Sequence, residues 1–412
     1  MQVGVFHPGV QHSRQTALAL QQLGRLAFLA TGLFDHSHSA VRRALASVPA
    51  SMASPVQAEL DRYVFDPLDP ALVTAHPFYE LPERLAARLG FPSLACSLDT
   101  HLNAAFGRRV ATRVQDNPVA LWGYNASAWS AFTDPRSASC PKILDRTTSD
   151  GRCWNAQRAR LSETQPEWFA DGSPAYSARQ IEQDDMEYHA ADRIVCGSPF
   201  VAQSIRDHSP VEGLAAKLTV LPYCYDAHLF AGGTPAPNPA AAQPVRFLFA
   251  GQVAGRKGIA HVLEAFAQTA PAEASLTVVG GIGVPDHLLA PYQDRVRFTG
   301  SVPRQAMPGI MQAHHAFVFP SYNEGSALVL LEAMASGMAI IQTQAAGLGA
   351  SADSGIVLAE PDTQGVAEAM RTLIADRDRL ASMRAHARAE AGARDFSAYR
   401  ANIARLLDDM GL

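Results

Sequence analysis

Short apolar runs, each followed by a turn and an amphipathic stretch, recur along this chain. Val3 to Phe6 and Leu26 to Ala30 read as strands. Between them Ala17, Leu18, Leu20 and Leu23 recur at helical spacing up to Gly24, with Ser13 or Thr16 as the expected cap. A β–loop–α–β unit of this kind opens a doubly wound α/β domain. Pro118 to Trp122, Lys142 to Leu144, the strand and turn over Asp192 to Ser198, and Lys217 to Leu221 continue it. A helix through Ala131, an acidic one over Ser177 to Ala191 and another opening at Ser198-Pro199 lie between them. Residues 31 to 115 give a weaker pattern, in which Tyr79 to Leu89 and Thr100 to Val114 read as helices.

The pattern stops at Ala231 to Pro244, a stretch of Ala, Gly and Pro without apolar periodicity, and then restarts. Strands are expected at Val245 to Ala250, Leu276 to Val279, Val296 to Phe298, Ala316 to Phe319, Ala339 to Gln342 and Gly355 to Leu358. Helices are expected at Ile259 to Thr269 and Leu328 to Ala335, and in pieces from Thr363 onward. The division is an N-terminal Rossmann-like domain over 1–230, a linker over 231–244 and a C-terminal Rossmann-like domain over 245–390. A final amphipathic helix within 391–412 turns back toward the first domain. Two such halves imply one cleft between them.

Composition adds exclusions. A chain of 412 residues exceeds what one core usually holds. Its net charge of −5 argues against nucleic acid as a main partner. No apolar run reaches transmembrane length, and the N-terminus enters a strand without a signal-peptide pattern. The five cysteines are scattered without a CxxC spacing, and His36, His38, His76 and His101 share no metal-like spacing. The reading is a cytoplasmic chain with reduced thiols and no metal or other cofactor. Arg108, Arg109 and Arg113 form a cluster on one expected helix. It reads either as a solvated face or as a patch for an anionic acceptor or lipid surface, which would place the protein at the inner face of the membrane.

The candidate chemistry lies at strand ends. Pro320 to Gly325 joins a strand to the Leu328 to Ala335 helix, and such a junction favours anions through free N–H groups and the helix dipole. Glu324 sits in that turn, and Glu332 lies roughly 9 Å further along the helix axis than Ser326. Carboxylates do not bind phosphate, so hydroxyls of a sugar and a ribose are their natural partners. Arg256 and Lys257 are adjacent cations in a glycine-flanked loop suited to a diphosphate. Gly251, Gly280 and Gly300 allow close backbone approach. In the first half Gly9, Tyr124, Asn125 and Asp145 stand at strand ends, the last reading equally as a turn or helix cap. Asp376-Arg377-Asp378 spells a D-x-D but reads as a solvated helical face.

Residues 217 to 360 resemble the retaining, nucleotide-sugar-dependent glycosyltransferases of family 4, which have the GT-B fold. The likeness rests on Glu324-x7-Glu332 within Pro320-Ser321-Tyr322-Asn323-Glu324-Gly325 and Leu331-Glu332-Ala333-Met334-Ala335-Ser336-Gly337, following Arg256-Lys257-Gly258 and Val296-Arg297-Phe298-Thr299-Gly300. The first half fits more loosely. The resemblance implies that Glu324 holds donor-sugar hydroxyls, Glu332 the ribose, and Lys257 the diphosphate. Gly325, Ser326, Ala327 and Leu328 would share that charge, and Gly300 would lie beneath the base. Where the family commonly has an arginine this chain has Gln252, with Arg256 supplying a charge nearby. Where many members have a histidine it has Asp145. The implied reaction is transfer of a sugar from a UDP-sugar, or a GDP-sugar, to a glycan, lipid-linked or small-molecule acceptor. A sugar phosphorylase, a nucleotide-sugar epimerase and a non-catalytic sugar- or nucleotide-binding protein are the alternatives.

Overall fold

Seven parallel strands form the first sheet of the computed structural model, which describes residues 1–9, 12–45, 47, 48, 54, 56, 57, 59–169 and 174–412. They are β1 (Val3–His7), β2 (Leu26–Thr31), β3 (Val73–Ala75), β4 (Ala120–Tyr124), β5 (Lys142–Arg146), β6 (Arg193–Cys196) and β7 (Leu218–Val220). Their spatial order is β3-β2-β1-β4-β5-β6-β7. The second sheet holds β8 (Val245–Ala250), β9 (Ala274–Val279), β10 (Val296–Phe298), β11 (Ala316–Phe319), β12 (Ala339–Thr343) and β13 (Gly355–Leu358), in the order β10-β9-β8-β11-β12-β13. Every pairing is parallel. Strand order reverses at β1/β4 and at β8/β11, the two places where an open α/β sheet leaves a crevice beyond its carboxyl ends.

Both faces of each sheet are covered, so central strands such as β1, β4, β11 and β12 are buried at every position. The second sheet and its helices share one core that includes Phe247, Phe249, Phe317 and Met334. The first sheet has a core on each side. The Leu328–Ala335 helix is apolar almost all round because the sheet lies on one side and the Arg377–Gly392 helix on the other.

The chain crosses between the domains after Cys224, since Tyr223 and Cys224 pack in the first core while Tyr225 and Phe230 pack in the second, and it crosses back near its end. Residues 231–244 carry no helix or strand and are mostly exposed, yet they are pinned. The Arg384 guanidinium donates to the Ala236 carbonyl at 2.6 Å, the Gly337 carbonyl at 2.9 Å and the Asn238 side chain. Arg388 donates to the carbonyls of Ala231 and Gly233. The Phe396–Asp409 helix then returns to the first domain. Tyr399, Ile403, Leu406 and Leu407 pack with Val3, Leu18 and Leu20.

That return corrects one expectation. Neither Ser13 nor Thr16 caps the Ser13–Gln22 helix, whose cap position is His12 without a side-chain bond. Thr16 instead forms a buried knot, its Oγ1 lying 2.7 Å from the Tyr124 hydroxyl and 2.8 Å from that of Tyr399. The helix expected from Thr100 begins at Pro92, and β3 was not legible in the weak 31–115 pattern. Val10 and Gln11 of the first loop, and the side chain of Cys96, lie outside the described residues. Cys140, Cys153, Cys196 and Cys224 are free thiols.

Ile403 is fully buried at this seam. Ile403→Ala should lower the unfolding free energy by about 2–5 kcal/mol. Urea denaturation checks this, and a loss well under about 1 kcal/mol would mean that the helix is not held there.

Candidate active site

The turn after β11 is where the two domains meet. Tyr322 faces the first domain, taking a hydrogen bond from Gln165 at 3.1 Å and an edge contact from Phe169. Its hydroxyl also lies 2.5 Å from His261 Nε2. Asn323 Nδ2 donates to Ser149 Oγ at 2.7 Å. The Gly325 carbonyl accepts from Ser198 Oγ at 2.6 Å. A Cβ on Gly325 would stand 1.7 Å from the Thr147 carbonyl oxygen, so only glycine lets the two loops touch.

Glu324, in the middle of this clasp, turns the other way. Its Oε1 accepts from Lys257 Nζ at 2.5 Å, Ser321 Oγ at 2.8 Å and Arg256 at 2.9 Å. Arg256 also donates to the Asn323 carbonyl at 2.5 Å. Burial pulls the Lys257 ammonium pKa below its ordinary value, while the Glu324 carboxylate opposes that shift. The two cations therefore share one carboxylate.

Glu324 lines two cavities. One, of about 450 Å³, is bounded by Gly251, Lys257, Gly280, Ser301, Ser326 and Glu332. Leu328 and Val329, at the start of the Leu328–Ala335 helix, line it as well, and the N–H groups of a first helical turn lack intrahelical acceptors. Glu332 is buried, its pKa raised by desolvation, and Arg304 reaches it at 2.9 Å from a half-exposed position. Gly280 is a forced glycine, since a Cβ there would stand 1.8 Å from the Gly251 carbonyl. The other cavity, of about 670 Å³, is bounded by Thr147, Trp154, Tyr176, Gln180, Arg256 and Gly325.

The structure therefore gathers Lys257, Arg256, Glu324, Glu332, Gly251, Gly280, Gly325, Ser326, Ala327 and Leu328 around one opening. Gly300 stands behind it, accepting from the Gly280 N–H at 2.9 Å and turning the chain so that Ser301 reaches the wall. Gln252 is exposed and lies beside Gly283, outside the walls of either cavity.

On the first domain the strand-end residues need correcting. Asp145 is fully buried. Its carboxyl accepts from the Tyr223 hydroxyl at 2.7 Å and from Trp122 Nε1 at 3.2 Å. It is still inside the strand, paired in register with Tyr124, and both point into the core beneath the Ser13–Gln22 helix. Neither lines either cavity, so neither touches a ligand there. Asn125 acts one step back, its Oδ1 accepting from the Thr147 N–H at 2.9 Å and Oγ1 at 2.8 Å. Gly9 donates to His7 Nδ1 at 3.0 Å and lines neither cavity.

The residues that do reach the opening were missed. They are Thr147 and Thr148, just past the strand end and followed by buried Ser149, and buried Arg146 shapes this loop by donating to the Thr148 and Ser149 carbonyls while pairing with Asp184 at 2.5 Å. Buried Glu187, its pKa pushed up to about 8 by desolvation, accepts from the N–H groups of Ala126, Ala128 and Trp129. The acidic helix expected over Ser177 to Ala191 is thus partly an internal scaffold. No three His, Cys, Asp or Glu side chains among the described residues are grouped to hold a metal ion.

Residues 244–376 match the family model described as Glycosyl transferases group 1. Over the whole chain, sucrose-phosphate synthase from Thermosynechococcus elongatus superposes with a TM-score of 0.68 at 17% identity, covering 100% of this chain and 99% of that one. Residues 244–376 are thus similar to group 1 glycosyltransferases, and the whole chain has the GT-B fold. HepE from Anabaena, solved in complex with UDP, superposes with a TM-score of 0.62 at 14% identity, covering 99% of this chain and 100% of that one. At these identities the structural likeness is one of GT-B fold. In sequence, D-inositol 3-phosphate glycosyltransferases are similar over part of the GT-B chain. That of Corynebacterium aurimucosum is 36% identical over 91 residues, 21% of this chain and 22% of that protein. That of Corynebacterium jeikeium is 30% identical over 118 residues, 28% of each. The matched region thus spans less than a third of those relatives.

The buried carboxyl of Asp145 has a pH signature. Burial raises its pKa from 3.8 to about 7, against the hydrogen bonds from Tyr223 and Trp122. The unfolded chain releases this proton near 3.8 and the folded chain near 7, so between those values the unfolded state binds fewer protons. Stability contributed by this group falls as pH rises through that window, by up to about 1.4 kcal/mol per pH unit. Asp145→Asn should flatten the slope, with a residue left by Glu187, which shifts the same way. Thermal unfolding across the window reads it, and an unchanged slope would contradict the assignment.

Proposed function

We propose that this protein transfers a sugar, with retention, from a nucleoside diphosphate sugar to an acceptor hydroxyl. The observation carrying the reading is Glu324 itself, a carboxylate clamped by Lys257 and Arg256 on the wall shared by two cavities. The smaller cavity has the chemistry for the nucleotide. Its cation and helix start suit a diphosphate, and Glu332 suits ribose hydroxyls. The larger cavity, with Trp154, Tyr176 and Gln180, offers room and hydrogen bonding for the acceptor. A uridine donor is favoured because HepE has been solved with UDP and with UDP-glucose, a guanosine donor being the alternative. The acceptor class is a glycan, a lipid-linked sugar or a small polyol, the last in keeping with the names of the matched sequence relatives.

The mechanism follows from charge. When the donor binds, its diphosphate offers Lys257 and Arg256 a stronger anion than Glu324, which leaves that carboxylate to accept from sugar hydroxyls. The bond from the anomeric carbon to the phosphate oxygen breaks while the acceptor oxygen bonds to that carbon on the same face. The leaving phosphate takes the acceptor proton. Lys257, Arg256 and the helix start stabilise the charge that accumulates on the diphosphate. The contact between the Thr147–Ser149 loop and Asn323 limits water at the reacting centre.

Two measurements test this. A thermal-shift series of nucleotide sugars and nucleoside diphosphates should single out UDP and its sugars, with about 2.7 kcal/mol of stabilisation at 100 times the Kd. Acceptor-dependent release of the nucleoside diphosphate should then fall by about 10²–10³ in Lys257→Met and in Glu324→Gln. Lys257→Met should also weaken UDP binding, whereas Glu324→Gln should largely spare it. Transfer that survives both changes would overturn the reading.

Glu332→Gln tests the ribose contact separately. It should weaken UDP binding by about tenfold, a loss on the scale of one charged hydrogen bond, while uracil-free pyrophosphate binds as before. Equal weakening of both ligands in calorimetry would place Glu332 elsewhere in the site.

A further inference from the structure

On the first domain, away from both cavities, an apolar ridge lies beside an arginine groove. All the exposed leucine and phenylalanine side chains among the described residues fall between Phe78 and Leu94. Phe78 is 84% exposed. Leu81, Leu85 and Leu89 follow at four-residue spacing on the Leu81–Arg88 helix and its C-cap, so they share one outward face. Phe91 and Leu94 extend it onto the start of the Pro92–Val114 helix. Soluble surfaces seldom gather large apolar side chains in this way without a partner.

The groove joins the ridge through His76. A cavity of about 630 Å³ is lined by His76, Phe106, Arg108, Arg109, Arg113 and Arg136. Arg109 donates to His76 at 3.2 Å, Arg113 lies 4.1 Å over the Phe28 ring, and Tyr79 packs edge-on against Phe106. None of Arg108, Arg109 and Arg113 is in an ion pair among the described residues. Arg84 and Arg88 on the shorter helix are paired with Glu80 and Glu59, and Arg136 in the groove with Asp134, which leaves Arg108, Arg109 and Arg113 as its excess cations on a chain whose net charge is −5. The excess positive charge is therefore local to the groove.

We propose that this surface docks the protein onto an anionic phospholipid bilayer, with the arginines on headgroup phosphates and Phe78, Leu81, Leu85 and Leu89 at the acyl boundary. An amphipathic helix beside a cationic cluster has the two attractions that interfacial binding needs. A second copy of the chain would bring the same arginines face to face across a two-fold axis. The ridge also starts at the cleft end of the sheet. Glu80 packs against Gly32, just past the carboxyl end of β2, where a Cβ would stand 2.2 Å from the Pro8 carbonyl and 2.6 Å from Glu80 Oε2. A bilayer held there faces the carboxyl edge of the first sheet, the edge from which Thr147 and Thr148 reach the larger cavity. The docking itself does not depend on the transfer reaction.

Vesicle co-sedimentation tests it, using phosphatidylcholine vesicles with and without phosphatidylglycerol. The protein should sediment with the anionic vesicles only, and less as salt rises, because headgroup attraction fades within a Debye length. Arg108→Glu/Arg109→Glu should lower that binding by at least about tenfold, each basic side chain near an anionic leaflet being worth on the order of fivefold. Leu81→Ser/Leu85→Ser should lower it as well, with the thermal midpoint kept because both positions are exposed. Absence of binding to anionic vesicles, equal binding to both vesicle types, or full binding by the arginine variant would overturn the proposal. So would a concentration-dependent dimer that the leucine variant abolishes, which would mean that a second copy covers the ridge.

Discussion

One carboxylate oxygen holds the site in register. Glu324 Oε1 takes a lysine, an arginine and a serine at once, and its neighbours on either side are gripped by the first domain. A half-buried anion needs such compensation, since desolvation alone would cost several kcal/mol. The compensation comes from the Gly255–Gly258 turn, which must lie against the β11 turn to deliver it. Gly258 makes that approach practicable, because a Cβ there would meet the Pro320 carbonyl at 2.0 Å. The charge cluster, the glycine and the strand order at β8/β11 thus form one constraint, and the cavities on either side are shaped by it.

The wall that carries Glu324 and Glu332 was legible because its chemistry is local. Strand, turn and helix follow one another within a score of residues, and the two glutamates keep their offset whatever surrounds them. Gly251, Gly280 and the Arg256–Lys257 turn each sit at the end of an apolar run, so strand ends pointed to them. The facing wall was not legible, for a reason of register. Every position of β5 is buried, so Asp145 and Arg146 stay inside and the contacts fall to Thr147, Thr148 and Ser149, two to four residues past Asp145. Reading a strand end to within two residues is not enough when that margin decides whether a side chain is inside the sheet or beyond its carboxyl edge.

The same shortfall explains Tyr124 and Thr16. Nothing nearby in sequence tells Tyr124 that its hydroxyl will meet a threonine 108 positions earlier, or tells that threonine that it will also meet Tyr399, 383 positions later. Arg146 with Asp184, and Glu187 beneath the turn after β4, are likewise long-range pairings. In sequence these acids mark only an acidic helix. In the fold they hold backbone in place, which is why burial and not spacing reveals them.

The pinned linker and the returning terminal helix have a mechanical consequence. The chain passes between the domains once near residue 224 and again near residue 395, and Arg388 and Arg384 hold the segment that follows the first passage against the helix that leads into the second. Two covalent crossings set side by side resist twisting and shear. They leave bending about the line that joins them, so the two halves are coupled like leaves on a two-pin hinge, and the mouth they enclose widens or narrows along one coordinate.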